Sequence, residues 1–445
     1  MINNQDNLEK TNPFYDVIVI GGGPAGTTIA SLLSEKGWSV CVLEKTHHPR
    51  FHIGESLLPM NMPILEKLGV LEKVADIGIK KYAAEFNSQV TAQEQDTFYF
   101  AKSVENKYPF AFEVRRSEFD DLLFRNAISK GVKAFEGVTV HKVELDQPVK
   151  KVLALNGSVE NKEFHCRYVV DASGRDTFLA KKLNTKKKNP NHQMAAIFGH
   201  FHHVERRDGQ DEGNISIYWF KHGWMWLIPL KDGMMSAGCV CWPDYLKTRD
   251  IPLNEFLQQT LFLVPEVAER FKKASLAAEA QATGNYSYSS SQMAGDGFLL
   301  IGDAYAFVDP VFSSGVYLAM QGAVRGADYV DAVLKKPERQ TDLAATLKQS
   351  MQQEISAFCW FIYRFNSPAL HKLLMSSDEK SQHPIKQKMK SAVISVLAGD
   401  AGNPRINFYL RLFKTLYYFT ILIDFKRHWQ FIQFRNNQNK VEVDL

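Results

Sequence analysis

The chain has 445 residues, 45% of them hydrophobic and 23% charged, the balance of an ordinary globular protein, which excludes global disorder, a collagen-like repeat and a coiled coil. That length fits roughly two to four domains, or one large α/β enzyme carrying an inserted sheet. The formal net charge is only +4, so composition calls for no nucleic-acid partner.

In chain order, Asp16–Ile20 is a short β-branched run that predicts a buried parallel strand. Gly21-Gly22-Gly23-Pro24-Ala25-Gly26 follows directly, a helix is predicted over Thr27–Glu35, closed by Gly37, and Trp38–Leu43 predicts a second strand ending at Glu44. Segments near 83–115, 134–157 and 194–242 alternate apolar and polar residues between Gly, Asp and Lys turns, as in an antiparallel sheet. Val169–Asp171 and Gly297–Ile301 are short apolar strands that return to the first sheet. Lys181, Lys182, Lys186, Lys187 and Lys188 form a charge run that predicts a solvated loop, with docking of an acidic partner as the sharper alternative. Gly315–Leu334 and Thr346–Phe365 carry helical spacing. Phe408–Phe434 interleaves aromatic residues with Arg411, Lys414, Lys426 and Arg427. It reads as an amphipathic helical segment over the substrate side, with a membrane-surface or partner-docking helix as the alternative.

The five cysteines, Cys41, Cys166, Cys239, Cys241 and Cys359, are odd in number and spread out. They suggest neither a disulfide framework nor zinc, and no metal ligand is assigned. Met1–Asp16 has no apolar core of a secretory signal, and Leu416–Ile423 is too short to span a bilayer. A reduced, cytoplasmic compartment is the expectation.

The strand, glycine loop and helix form a dinucleotide site. Gly21 permits the tight turn, Gly23 lets a pyrophosphate approach the backbone, and Gly26 lets helix and strand pack closely. The helix start offers unpaired N–H groups to phosphate. Glu44, 23 residues after Gly21, can accept a hydrogen bond from a ribose hydroxyl. Two further features favour FAD over NAD: Arg116, a cation opening an amphipathic helix, and the Gly302-Asp303 strand end, whose acid can hold a ribityl chain. The plainer readings are an N-cap for Asp303 and a surface ion pair for Arg116.

The opening motif, Arg116, Val170-Asp171-Ala172-Ser173-Gly174 and Gly302-Asp303 together resemble the para-hydroxybenzoate-hydroxylase-type FAD fold. Three more motifs resemble the flavin-dependent halogenases, in the branch acting on phenols and pyrroles. They are Arg50-Phe51-His52-Ile53-Gly54-Glu55-Ser56-Leu57-Leu58-Pro59, Trp224-Met225-Trp226-Leu227-Ile228-Pro229 and Asp309-Pro310-Val311-Phe312-Ser313-Ser314-Gly315-Val316. Trp360–Asn366 and Ser395–Asp400 also look like that branch. The likeness spans roughly residues 14–400 and leaves the last forty-five uncovered.

The resemblance implies an α/β (α+β overall) fold: a discontinuous Rossmann-like FAD-binding domain (16–80, 111–185, 280–335) after a tail (1–15), an antiparallel-sheet substrate domain (81–110, 186–279) and a helical C-terminal region (336–445). It implies FAD used as FADH2 from a separate flavin reductase, O2 as co-substrate, and chloride or bromide converted to hypohalous acid. That acid would travel to an aromatic small molecule, possibly held on an acyl carrier protein. Carried over residue by residue, Arg50, Ser56, Pro310, Gly315 and Val316 join Gly21, Gly23, Ala25, Gly26, Glu44, Arg116 and Asp303 around the cofactor. Ser314 and Gly315 take the halide, the plainer and compatible alternative being that Ser313 and Ser314 cap the helix. Lys81 is the catalytic lysine, with Lys80 a one-residue ambiguity, and Trp224 and Trp226, on one face of a strand, deny organic substrate access to the flavin. Phe312 stands where the tryptophan-type branch has an acid, so no substrate base is identified. The competing readings are a single-component aromatic hydroxylase, a geranylgeranyl-reductase-type enzyme and a non-enzymatic FAD sensor.

Overall fold

Val17–Ile20 are buried on both faces of their strand, which is why they read as a continuous apolar run. In the computed structural model, which describes residues 13–88, 95–157, 160–190, 192–284, 287–375 and 383–441, this strand (Phe14–Ile20) is central to a mixed sheet. Of the expected tail 1–15, residues 1–12 lie outside the described residues. Val40–Leu43 and Glu160–Asp171 flank the strand in parallel, and Lys133–Phe135 and Phe298–Leu300 extend the sheet on either side. The registers Ile20↔Leu43, Ile20↔Asp171 and Asp171↔Leu300 bring the strand ends level. The loops after them therefore meet at one carboxyl edge, where open α/β sheets bind ligands.

Local differences from expectation have local causes. The first helix starts at Pro24, because proline suits the first helical turn. The second strand starts at Val40, since Trp38 instead turns its indole N–H to Asp331 at 2.9 Å. The alternating segment 134–157 does not join the antiparallel sheet. Val138–Glu144 and Lys150–Asn156 form a hairpin laid against Glu160–Asp171. Alternation reports one-sided burial but not which sheet a strand joins. The lysine run is not a loop: it leaves the helix Phe178–Lys182 and enters the strand Lys186–Lys188, paired with Tyr288–Ser290, where Lys186 lies 3.9 Å from the Tyr288 ring centre.

The second sheet is built from Ala195–His202, Met235–Cys241, Gly223–Pro229 and Ile215–Phe220, all antiparallel, and then Ala83–Asn87 in parallel and Gln95–Tyr99. Every residue of Gly223–Pro229 is buried, yet the strand still alternates. Trp224, Trp226 and Ile228 pack toward the cofactor side, while Met225 and Leu227 pack under the helix Leu253–Leu261. A two-stranded ribbon, Ile79–Lys81 with Ala111–Glu113, links the sheets. The helix Ser314–Lys335 lies on Pro24–Glu35, and Gln340–Ile362 packs on it in turn. The tail forms two helices, Asn407–Ile423 and Phe425–Gln438.

Candidate active site

A cavity of about 450 Å³ opens at the carboxyl edge of the first sheet, walled on the other side by Phe198, Trp224, Trp226 and Ile228 of the second. Gly21, Gly23, Ala25, Glu44, Arg50, Ser56, Arg116, Asp303, Pro310, Gly315 and Val316 all line it. Gly26 does not. A Cβ there would lie 2.0 Å from the Gly21 carbonyl oxygen, so this glycine serves helix–strand contact. Gly21 needs its freedom twice, for φ +101° and for a Cβ position 2.4 Å from the Ala172 oxygen. At Gly23 the nearest atom is an Arg50 nitrogen 3.6 Å away, which leaves the approach open. This glycine cradle at a helix start, beside a buried acid and open to a deep cleft, fits FAD.

The charged residues form one network. Glu44 accepts the Gly22 N–H at 2.7 Å and the Thr46 N–H and hydroxyl at 3.0 and 2.6 Å. Burial opposes its ionisation, but Thr46, Arg50 and the Gly22 N–H outweigh it and hold the carboxyl below its ordinary range. It therefore also ties down the glycine loop. Arg116 is not a surface pair: its guanidinium is buried, bonded twice to Asp120 (2.7 and 2.9 Å) and once to the Ile53 carbonyl (2.8 Å). Arg50 reaches Asp120 at 3.3 Å and Glu44 at 3.7 Å. The Arg116 charge, with burial, pushes His52 down to about 4, so its ring is neutral. Burial raises Asp303 to about 6 against the pull of Arg116 and Arg175. Asp303 sits within the turn Gly302–Ala304, whose cap position is Ile301, so the N-cap reading fails.

The segment 309–316 is shaped by Asp309. Its carboxylate accepts the Val311 N–H (3.2 Å) and meets His192 Nε2 at 3.1 Å. Ser313 stands at the helix cap in the left-handed region (φ 55°), without a side-chain bond, and so does not cap through its hydroxyl. The Ser314 hydroxyl is buried with no hydrogen-bond partner among the described residues, and a Cβ on Gly315 would meet nothing within 4 Å. An unpaired donor and open space at a helix start, where first-turn N–H groups have no intrahelical partner, suit a small anion. Phe312 is buried against Phe361 and Phe365, at ring distances of 6.2 and 5.5 Å.

Lys81 does not line the cavity; it stands one layer behind Ser56. Its ammonium is 1% exposed and donates to the Ser56 hydroxyl (2.7 Å) and the Leu57 carbonyl (2.9 Å). Glu113 lies 3.9 Å away, fully buried, and accepts the Ser56 hydroxyl at 3.1 Å through one oxygen, while the other is unpartnered. Burial lowers Lys81 and pushes Glu113 up to about 8, each partly offset by the other's charge. Lys80, its neighbour, points elsewhere, over the Phe110 ring. Glu55, buried beside this group, pairs with His200 at 2.9 Å.

Glu113 makes stability depend on pH. Its folded value lies above the unfolded one, so its contribution is full below about pH 4.5 and is lost as pH rises through about 8. Glu113→Gln should remove this slope. Across that window wild-type Tm should fall by roughly 2–5 °C more than that of the variant. Parallel melting profiles would contradict a buried, protonated Glu113.

Trp224 and Trp226 face the same side, ring centres 5.9 Å apart. Trp226 fits because Gly238 lies opposite, where a Cβ would come within 2.5 Å of the indole. Sequence reasoning missed Glu113, Asp120 and the Glu55–His200 pair. The lone acid in Ala111-Phe112-Glu113-Val114 was a usable signal, since a charge in a fully buried strand needs a partner.

The FAD binding domain family matches residues 14–349. The 1H-pyrrole-2-carbonyl-(peptidyl-carrier protein) chlorinase of Pseudomonas fluorescens is 32% identical over 342 residues, covering 72% of this chain and 76% of the chlorinase. The tryptophan 2-halogenase of Chondromyces crocatus is 35% identical over 324 residues, covering 72% of this chain and 61% of that enzyme. Among solved structures, a flavoprotein/dehydrogenase from Cytophaga hutchinsonii superposes with a TM-score of 0.83 at 29% identity, over 92% of this chain and 100% of its own. The myxobacterial chondrochloren halogenase, a variant of the FAD-dependent halogenases, superposes with a TM-score of 0.75 at 29% identity, over 88% of this chain and 92% of its own. A cavity built to take FAD, with these likenesses across most of the chain, places the chain in the flavin-dependent halogenases.

Proposed function

We propose that the substrate is an electron-rich phenol or pyrrole, free or carried on an acyl carrier protein, and that a separate flavin reductase supplies the reduced cofactor. The observation that carries the halogenating chemistry in this reading is Lys81, a fully buried lysine behind the cavity wall whose ammonium is held by Ser56 and Leu57. A surface charge would not be desolvated in this way, and a desolvated, positioned amine is what electrophile activation requires.

When bound and reduced, FAD would activate oxygen, the oxidant for the halide. The chain supplies the rest. Arg50 and the glycine loop would hold the cofactor phosphates, and Asp303 and Glu44 would accept its hydroxyls. Ser314 and Gly315 hold the halide. Trp224 and Trp226 fill the side from which an organic substrate would otherwise approach. Lys81 donates a hydrogen bond to hypohalous acid that has left the cavity, while Glu113 keeps the amine in place. Phe312 removes the acid that a tryptophan-type enzyme carries at that position, consistent with a ring that needs less help to lose its proton. The pyrrole chlorinase supports a carrier-bound substrate, because its own substrate is a pyrrole on a peptidyl-carrier protein.

The test is anaerobic. FAD-loaded protein mixed with NADH or NADPH should keep its yellow colour and bleach only when a flavin reductase is added. With oxygen and halide, phenol or pyrrole thioester probes should then gain the halogen mass. Rapid bleaching by NAD(P)H alone would replace this reading with a single-component hydroxylase or a reductase.

A further inference from the structure

The helices Asn407–Ile423 and Phe425–Gln438 meet at Asp424 and are fixed to the body by their inner faces. Leu410, Phe413 and Tyr417 are buried, Trp360 packs on Phe413 and Tyr417, and Gln438 exchanges hydrogen bonds with Asp244 at 2.6 and 3.1 Å. The outer face is also apolar. Phe408, Phe419, Leu422, Ile423, Phe425 and Trp429 are each more than half exposed, reaching 72% at Ile423. On a helical wheel Phe408, Phe419, Leu422 and Ile423 share one arc, opposite the buried stripe. A helix apolar on both sides is normally covered on both sides. The bare side chains concentrate at the corner, on both sides of Asp424.

Charge limits what can cover them. The exposed charges of these two helices and their joint are Arg411, Lys426 and Arg427 against the single acid Asp424, while Lys414 turns over the Trp360 ring and Arg435 reaches the Tyr363 carbonyl. A second copy docked through this face would set like charges against each other. An anionic surface is complementary to both features at once: bulky rings enter the headgroup boundary while Lys and Arg meet the lipid phosphates. Among the described helices none is long and apolar enough to cross a membrane, so contact would be at the surface.

We propose that this corner is a membrane-surface anchor: Phe419, Leu422, Ile423, Phe425 and Trp429 insert at the headgroup level of an anionic bilayer, and Lys426 and Arg427 bind its phosphates. The anchor is independent of the substrate reading, since it lies outside the cofactor cavity.

The test uses the full chain loaded with FAD, cosedimented with sucrose-loaded vesicles of phosphatidylcholine alone or mixed with phosphatidylglycerol. Wild type is expected to sediment with the anionic vesicles, less with the neutral ones, and to be released by salt. Leu422→Glu/Ile423→Glu/Phe425→Glu, all solvent-exposed positions, should keep the flavin spectrum and Tm and lose at least about tenfold in vesicle affinity. Lys426→Glu/Arg427→Glu should abolish the preference for anionic lipid. Failure of wild type to sediment, or equal sedimentation of the triple variant, overturns the proposal. So does a vesicle-independent dimer, or a complex with an acidic carrier protein, that the triple variant abolishes while lipid binding is absent.

Discussion

Lys81→Met is expected to retain FAD and consume oxygen at the wild-type rate when reduced flavin is supplied, while halogenated product falls at least about a hundredfold, or roughly 2.7 kcal/mol of transition-state stabilisation. The variant separates catalysis from folding. Lys81 is fully buried, and replacing a buried cation by an apolar side chain of similar length is often neutral or stabilising when its partner can be neutral. Glu113 can be, since burial already raises it to about 8 and the lysine's departure raises it further. The Ser56 hydroxyl keeps its bond to Glu113 at 3.1 Å, so the strand Ala111–Glu113 should hold its place. Tm should therefore stay level or rise while product is lost. Hypohalous acid should accumulate in the medium and be trapped there by an added scavenger. Product at the wild-type rate would remove Lys81 from the chemistry. Loss of FAD together with product would reassign it to the architecture of the cavity wall.

The opening of the chain was legible because local chemistry dictates it. A β-branched run, glycines at three fixed offsets and a following helix leave few alternatives, and the strand registers place Gly21, Glu44 and Asp303 on one edge as the motifs require. Trp224 and Trp226 shared a face for the equally local reason that strands alternate. The charge network was not legible. Arg116 and Asp120 are four residues apart on a helix, a spacing that normally marks a surface pair, and only the fold buries them. Glu113 and Lys81 meet because Ile79–Lys81 pairs with Ala111–Glu113 across some thirty residues, a register that no motif announces. Ser313 takes a left-handed backbone at the helix cap and makes no side-chain cap bond, and the buried Ser314 hydroxyl has no partner among the described residues. Polar atoms left unpaired at such a place are a property of the tertiary site rather than of the local sequence.

Two glycine substitutions should have opposite consequences. Gly26→Ala places a methyl 2.0 Å from the Gly21 carbonyl oxygen and 3.3 Å from the Ala172 side chain. The first neighbour is backbone, in a turn that Gly21 already holds at φ +101°, so nothing flexible can yield. The first helix must move off the sheet, which costs about 3 kcal/mol or more and displaces the helix start from the phosphate position. FAD retention should fall at least about a hundredfold, with a lower Tm even in the apo protein. Gly315→Ala adds the same methyl where nothing lies within 4 Å, on a helical residue that accepts alanine without strain. That variant should fold as wild type does. The new methyl enters the cavity that Gly315 lines, so the halide KM should rise about tenfold or more. Titrating FAD fluorescence and steady-state halide dependence on both variants checks the pair. Equal FAD affinity in Gly26→Ala and wild type would refute the cradle as drawn. An unchanged halide KM in Gly315→Ala would move the anion site away from Ser314. The contrast is sharp because both changes add the same chemical group, a methyl against backbone at Gly26 and a methyl into open space at Gly315.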